Sequence, residues 1–202
     1  MLNETVFEKI VDDFAENGFC ILNNFLPLDK YQVLREELLL AYQQNAFKKA
    51  AIGQNSSEAV NESIRGDEIL WLNQNEGKQG VQSYFDCIHD LQNFLNRYCF
   101  AGIQDSEFHF AVYPPGTFYQ KHLDVFKQDD ARLFSVVFYL NDNWQPNHGG
   151  ELIIYTDNQT LTIPPLANTL VFFDSSKFYH EVLKTNAPRY SVTGWLKRAK
   201  LF

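Results

Sequence analysis

The sequence predicts an α+β protein: a double-stranded β-helix, or jelly roll, of about eight antiparallel strands, buttressed by N-terminal helices. Two observations carry this expectation. Over the first hundred positions apolar residues recur mainly at helical spacing. After Gly102 the chain instead breaks into short segments rich in Phe, Tyr, Val, Ile and Thr, each bounded by Gly, Pro, Asn or Asp. Helices first and strands after place the helices against one sheet of a double-sheet sandwich. The 202 residues suit one domain, 1–202, with 1–100 as mainly helical support and 101–202 as the jelly-roll core.

In chain order, residues 5–17 put Val6, Ile10, Val11 and Phe14 at helical spacing, and Gly18 follows as a stop. Residues 19–25 (FCILNNF) are short, apolar and β-like. Pro27 and Asp29 open a second helix to about residue 47, with Leu34, Leu38 and Ala41 on one stripe. From 48 to 63 the apolar pattern lapses into a loop long enough to be a lid. Strand-like alternation returns over 64–71, extending to about 73. Gly77 and Gly80 then break the chain before a third helix, about 81–100, that turns Phe85, Ile88, Leu91 and Leu95 inward. The eight predicted strands are 106–113, 117–125, 132–141, 150–156, 159–163, 168–174, 178–184 and 189–198. No internal repeat, low-complexity tract or inter-domain linker interrupts them.

Composition narrows the function classes. An aromatic content of 15% is enough to fill a sizeable core. A net charge of −8 argues against nucleic acid or an anionic membrane surface as partner. Lys197, Arg198 and Lys200 read as a solvated tail rather than a binding patch. Cys20, Cys87 and Cys99 are scattered, without Cys-x-x-Cys spacing, and support neither a disulfide framework nor a zinc ribbon. The first residues include Glu4, Glu8, Asp12 and Asp13 and no apolar core of a signal peptide, and no apolar run is long enough to span a membrane. The expectation is a soluble, cytoplasmic protein.

Residues two apart on a strand share a face, so His122 and Asp124 project together while Leu123 turns into packing. His-x-Asp alone is common. Its company raises its meaning: His180 falls in another predicted strand, and Arg189 opens the last one. Two imidazoles and one carboxylate cap one face of an octahedral Fe(II) and leave the opposite positions open. His89 in the third helix, His109 early in a strand and His148 in a Gly-flanked turn lack this context and read as structural or surface. Arg189 shares a strand face with Ser191, Thr193 and Trp195. If that face is the barrel interior, the guanidinium must find an anion, since an unpaired buried charge is prohibitive. A dicarboxylate held bidentately would supply it, with Thr193 adding a hydroxyl and Tyr139 a phenol to the same carboxylate.

These residues also carry a family resemblance. Tyr113-Pro114-Pro115-Gly116-Thr117, His122-Leu123-Asp124, Phe138-Tyr139-Leu140-Asn141, Gly149-Gly150-Glu151-Leu152, His180-Glu181-Val182 and the run from Arg189 to Trp195 resemble the Fe(II)/2-oxoglutarate-dependent oxygenases. Ile64-Arg65-Gly66-Asp67 with Trp71 resembles, within them, the prolyl 4-hydroxylases of the hypoxia-sensing (SM-20-like) branch. The resemblance covers roughly 64 to 198 and makes 101–202 the catalytic core. It implies Fe(II) bound by His122, Asp124 and His180, and the distal carboxylate of 2-oxoglutarate bound by Arg189 with Tyr139 and Thr193 assisting. It implies Tyr113 beside the co-substrate or the substrate, and Trp195 lining the pocket near the target proline. Arg65, Asp67 and Arg132 would shape or contact a peptide-binding surface; surface ion pairing explains Arg65 and Asp67 equally well. O2 would be the second co-substrate, with ascorbate binding as a further family property.

The implied function is hydroxylation of a prolyl residue, at the 4-position, in an intracellular protein, with succinate and CO2 as co-products. Two alternatives stay open on the residues. One keeps the cofactor chemistry and changes the target to another side chain or a free small molecule; the other is a jelly-roll binding module without catalysis. The oligomeric state is not assigned. The turn at Pro114-Pro115-Gly116 is shorter than in animal relatives, and the segment 125–131 is acidic. Both differences bear on substrate choice, and 125–131 is a second candidate lid.

Overall fold

A computed structural model describes residues 4–51, 60–125 and 131–199. Helix α1 (Glu4–Asn17) ends where the Gly18 amide bonds back to the Phe14 carbonyl at 2.8 Å. Strand β1 (Phe19–Asn23) follows, then α2 (Leu28–Gln43), which opens after Pro27 with Asp29 in its first turn, where the helix dipole favours a carboxylate. The helix stops four residues short of the expected end. The chain turns at Asn45 in the left-handed region and enters a two-residue edge strand β2 (Lys48–Lys49), inside what the sequence reads as loop. Half of the first expected lid, 48–63, and most of the second, 125–131, fall on 52–59 and 126–130, outside the described residues.

Strand β3 (Glu68–Trp71) leads to α3 (Gln79–Cys99). The expectation that Gly80 breaks the chain is corrected here, because Gly80 lies inside the first turn of α3. A Cβ at Gly80 would stand 2.5 Å from the Leu34 backbone, so glycine is what lets α3 cross α2 this closely. The Glu37 carboxylate on α2 accepts from the Gly80 and Val81 amides at 2.8 and 2.9 Å and caps α3 from its neighbour.

All eight strands of the second half form: β4 (Asp105–Tyr113), β5 (Tyr119–His122), β6 (Arg132–Tyr139), β7 (Leu152–Tyr155), β8 (Thr160–Ile163), β9 (Thr169–Asp174), β10 (Tyr179–Val182) and β11 (Arg189–Lys197). They sort into two antiparallel sheets. The larger has the order β1-β9-β6-β11-β4-β3-β2, and the smaller β5-β10-β7-β8. The architecture is a jelly roll with helices on one side, as the alternation of helical and strand patterns predicts.

The larger sheet has two different faces. Phe108, Phe110, Val136, Phe138, Leu170, Phe172, Val192 and Leu196 pack against α2 and α3 in one core. Their odd-numbered neighbours Ala111, Tyr113, Val137, Tyr139, Val171 and Phe173 meet Leu152, Ile154 and Val182 of the smaller sheet in a second core. Register is therefore strongly fixed, since a slip of one residue would carry every phenylalanine to the wrong side. Among the described residues no helix is long and apolar enough to cross a membrane.

Candidate active site

The antiparallel pairing of β5 with β10 sets His122 directly opposite His180, with ring centroids 4.2 Å apart. β5 ends at His122, so Asp124 is not on the strand as the alternation predicts; it sits in the bend just beyond, and Leu123 is only half-buried. The carboxylate arrives nonetheless. Oδ1 lies 3.4 Å from His122 Nε2, and Oδ2 lies 3.5 Å from His180 Nε2. Ligand atoms of the three residues all fall within 4.8 Å of one another.

The tautomers follow from hydrogen bonding. His122 Nδ1 faces the Gln120 carbonyl at 2.7 Å, and His180 Nδ1 faces the Phe178 carbonyl at 3.2 Å. A carbonyl can only accept, so each Nδ1 carries the proton and each Nε2 turns a lone pair toward the shared point. Burial pushes the His180 pKa down to about 4 against the pull of Asp124. Burial disfavours the Asp124 charge, but the imidazoles, His180 foremost, and the Ser135 hydroxyl outweigh it and hold the carboxyl well below its usual range. Three electron-pair donors thus converge with no proton between them, a set that calls for a cation. Its two nitrogens and one oxygen fit Fe(II) with open positions.

Arg189 opens β11 opposite Tyr113 and is 1% exposed. Its Nε donates to the Gly150 carbonyl at 2.9 Å. Gly150 has φ +69, and a Cβ there would meet Arg189 Cδ at 3.1 Å, so the Gly149-Gly150 turn leaves room for this arm. The guanidinium carbon lies 5.0 Å from the ring centres of both Tyr113 and Tyr139. No carboxylate among the described residues forms an ion pair with it. Beside it the Tyr139 hydroxyl is buried without a hydrogen-bond partner. Burial raises the Tyr139 phenol pKa, with Arg189 pulling the other way. A buried cation and an orphaned phenol together fit the carboxylate end of a co-substrate.

Thr193 stands four residues along β11, about 13 Å of strand from Arg189, and its hydroxyl pairs with Ser191 Oγ at 3.2 Å. Trp195, 8% exposed, faces Ser135 and Glu107 across the sheet, and its indole Nε1 has no partner. Arg132 stacks over that indole at 3.4 Å, donates to Glu107 Oε1, and reaches the backbone carbonyl of Asp124 at 3.2 Å. It thus braces the ligand-bearing bend.

Arg65 and Asp67 form a two-pronged pair at 2.7 and 2.5 Å, with side chains 13% and 1% exposed, so surface pairing is not its description. The Arg65 guanidinium lies over the Tyr119 ring at 4.4 Å, and Tyr119 stacks on His122 at 3.7 Å. The pair therefore reaches the first imidazole through one aromatic ring. Tyr119 and Ser135 carry contacts to the ligand residues that the sequence does not announce, whereas His109 is structural, as its lack of metal-ligand context implies. Ser135 donates to Asp124 Oδ2 at 2.6 Å, and a lone serine in the apolar run Leu133–Tyr139 was the available signal. His109 is buried on the cavity face between Trp71 and Trp195, with ring centroids 5.1 and 5.9 Å away.

Comparison with known proteins agrees with this geometry. The sequence profile of the 2OG-Fe(II) oxygenase superfamily matches residues 108–197. Mouse prolyl hydroxylase EGLN3 is 29% identical, over 96% of this chain and 84% of its own length. The crystal structure of a Pseudomonas putida prolyl-4-hydroxylase superposes with a TM-score of 0.87 at 37% identity, covering 96% of this chain and all of that one. A Trichoplax adhaerens prolyl hydroxylase, solved with a peptide fragment of the hypoxia inducible factor oxygen degradation domain, also gives 0.87, at 31% identity over 96% and 90% of the two chains.

Proposed function

The chain belongs to the 2OG-Fe(II) oxygenase superfamily, among its prolyl hydroxylases, and from that membership we propose that it hydroxylates C4 of a prolyl residue presented by an intracellular protein. The reaction uses Fe(II), 2-oxoglutarate and O2. One oxygen atom goes to the substrate C–H bond and the other to succinate, with CO2 leaving. The observation that carries the reading is the meeting of three metal donors at one point, with a buried cation that no carboxylate among the described residues pairs with on the facing side of the larger sheet.

His122 Nε2, His180 Nε2 and one Asp124 oxygen would hold the metal. Fe(II), when bound there, supplies the activation of O2 that is coupled to oxidative decarboxylation of the co-substrate. Arg189 would anchor the far carboxylate of 2-oxoglutarate, and Tyr139 would donate its free hydroxyl to the same group. Tyr113, across the strand pair from Arg189, would close over that end. Leu152, Ile154 and Val182, buried between the two sheets, would keep water from the reacting atoms. Trp195, with an unpartnered indole N–H, would lie beside the substrate residue, and Arg65, Asp67 and Arg132 would shape the peptide's path.

The net charge of −8 suits a protein partner better than nucleic acid. The test pairs two measurements. Fe(II)-dependent succinate formation should vanish in His122→Ala, and peptides captured by the protein should gain the mass of one oxygen on a proline. Turnover persisting in His122→Ala would remove the metal assignment; oxygen found only on other residues would remove the prolyl one.

A further inference from the structure

Resting on the metal site proposed above, we propose that Ser175 and Ser135 form a two-hydroxyl relay that holds Asp124 Oδ2, so that Asp124 offers the metal one oxygen only. Ser135 lies in β6, 2% exposed, on the cavity face opposite Trp195. Ser175 follows the end of β9 and is fully buried. Their hydroxyl oxygens are 2.9 Å apart, and Ser135 Oγ is 2.6 Å from Asp124 Oδ2.

The direction of these bonds is forced. Each serine has one hydroxyl proton, and an ionised carboxylate can only accept. The Ser135 proton therefore goes to Asp124, which leaves Ser135 able only to accept from Ser175. The relay runs Ser175 to Ser135 to Asp124, and each bond polarises the next.

Its outer end is fixed independently. The Ser175 amide donates to the Leu133 carbonyl at 3.1 Å, tying the turn after β9 to the edge of β6. Asp174 Oδ1 accepts from the Ser176 amide and hydroxyl, both at 2.8 Å, and so rigidifies the same turn. That turn leads into β10 and His180, so the relay couples the segments carrying two of the three ligands. On the main-chain side Arg132 holds the Asp124 carbonyl. With Oδ2 engaged, Oδ1 remains for the metal. An octahedral ion held by three single donors keeps three positions for co-substrate and O2, whereas a carboxylate binding through both oxygens would occupy one of them.

Calorimetric titration of Mn(II) into the metal-free full chain tests this without turnover. Ser135→Ala should weaken Mn(II) binding by about 10- to 100-fold. Ser175→Ala should weaken it by about threefold, the weight of one neutral hydrogen bond acting at a remove. The double variant should bind no worse than Ser135→Ala, because Ser175 acts only through Ser135, and Ser135→Thr should bind as the parent does. Unchanged affinity in Ser135→Ala, or losses that multiply in the double variant, would overturn the relay. Should Ser135→Ala not fold, Ser175→Ala decides alone, and unchanged affinity there overturns it. A parent protein that takes up Mn(II) no better than His122→Ala would instead sink the metal site beneath the relay.

Discussion

Strand β11 has two faces built under opposite rules. Toward the helices it presents Val192 and Leu196, fully buried among phenylalanines. Toward the smaller sheet it presents Arg189, Ser191, Thr193 and Trp195, a buried charge, two hydroxyls and an indole; among the described residues no carboxylate pairs with the Arg189 guanidinium, and the indole N–H lacks a hydrogen-bond partner. One backbone serves both because side chains alternate at every residue. The helix-facing side supplies folding free energy through apolar area. The cavity face carries unsatisfied groups that weaken the empty protein and are satisfied when ligands arrive. Substitutions on the two faces should therefore separate stability from binding.

The largest separation is expected between Asp124→Ala and Phe138→Ala. Asp124→Ala should abolish metal-dependent succinate formation while circular dichroism and the thermal midpoint of the empty protein stay close to the parent's. Phe138 is fully buried, with the rings of Phe25 and Tyr84 at 5.6 and 5.7 Å. Its truncation should cost about 3–5 kcal/mol in denaturant unfolding, with metal affinity retained in the fraction that remains folded. If Phe138→Ala instead lost metal affinity at unchanged stability, the division of labour between the faces would be wrong.

A smaller effect sharpens the same contrast at Arg189. Replacing it by methionine keeps most of the volume and removes a buried charge that has no acidic partner among the described residues. The empty protein should be at least as stable as the parent, despite the Gly150 carbonyl losing its donor. The KM for 2-oxoglutarate should rise by on the order of a hundredfold, as expected when one partner of a buried charge pair is deleted. Tyr139→Phe should follow in the same direction by about tenfold, since it removes one hydrogen bond to a charged group. Marked destabilisation in Arg189→Met would show that the guanidinium holds the fold rather than a ligand.

Much of this division was legible in the sequence. The eight strands stood out because each apolar run is closed by turn residues, and the inward parity of Arg189, Ser191, Thr193 and Trp195 follows from alternation alone. What was hidden depends on neighbours distant in the chain. Gly80 reads as a breaker until the Leu34 backbone is found against it. Asp124 reads as a strand residue because nothing in His-Leu-Asp announces the bend. Thr193 shares a face with Arg189 by alternation, and only the structure shows its hydroxyl paired with Ser191. Ser135 and Ser175 gain their role only from the β6–β9 register, which pairs Phe134 with Asp174 and brings two unremarkable serines together.

The finest contrast between the faces is their response to acid. The helix-facing core is built from apolar side chains, whereas the opposite face buries His109 and His180, each pushed down from 6.5 to about 4 by burial. Both favour the neutral form in the folded protein, so the unfolded chain binds more protons wherever the pH lies between the two values. Stability of the metal-free protein should therefore be fully present above about pH 6.5 and should fall progressively down to about pH 4. Each histidine should contribute on the order of 1 kcal/mol per pH unit across that window. Asp124 acts lower down: its depressed pKa adds stability present above the ordinary carboxylate range, which is lost only as the pH falls below it. Denaturant unfolding at a series of pH values, with chelator present, gives the slope directly. His109→Gln should reduce that slope by about half while leaving Mn(II) affinity unchanged, because His109 shares the cavity face but not the ligand set. A slope equal to the parent's would mean that His109 already exchanges protons with solvent and that this part of the cavity face is open.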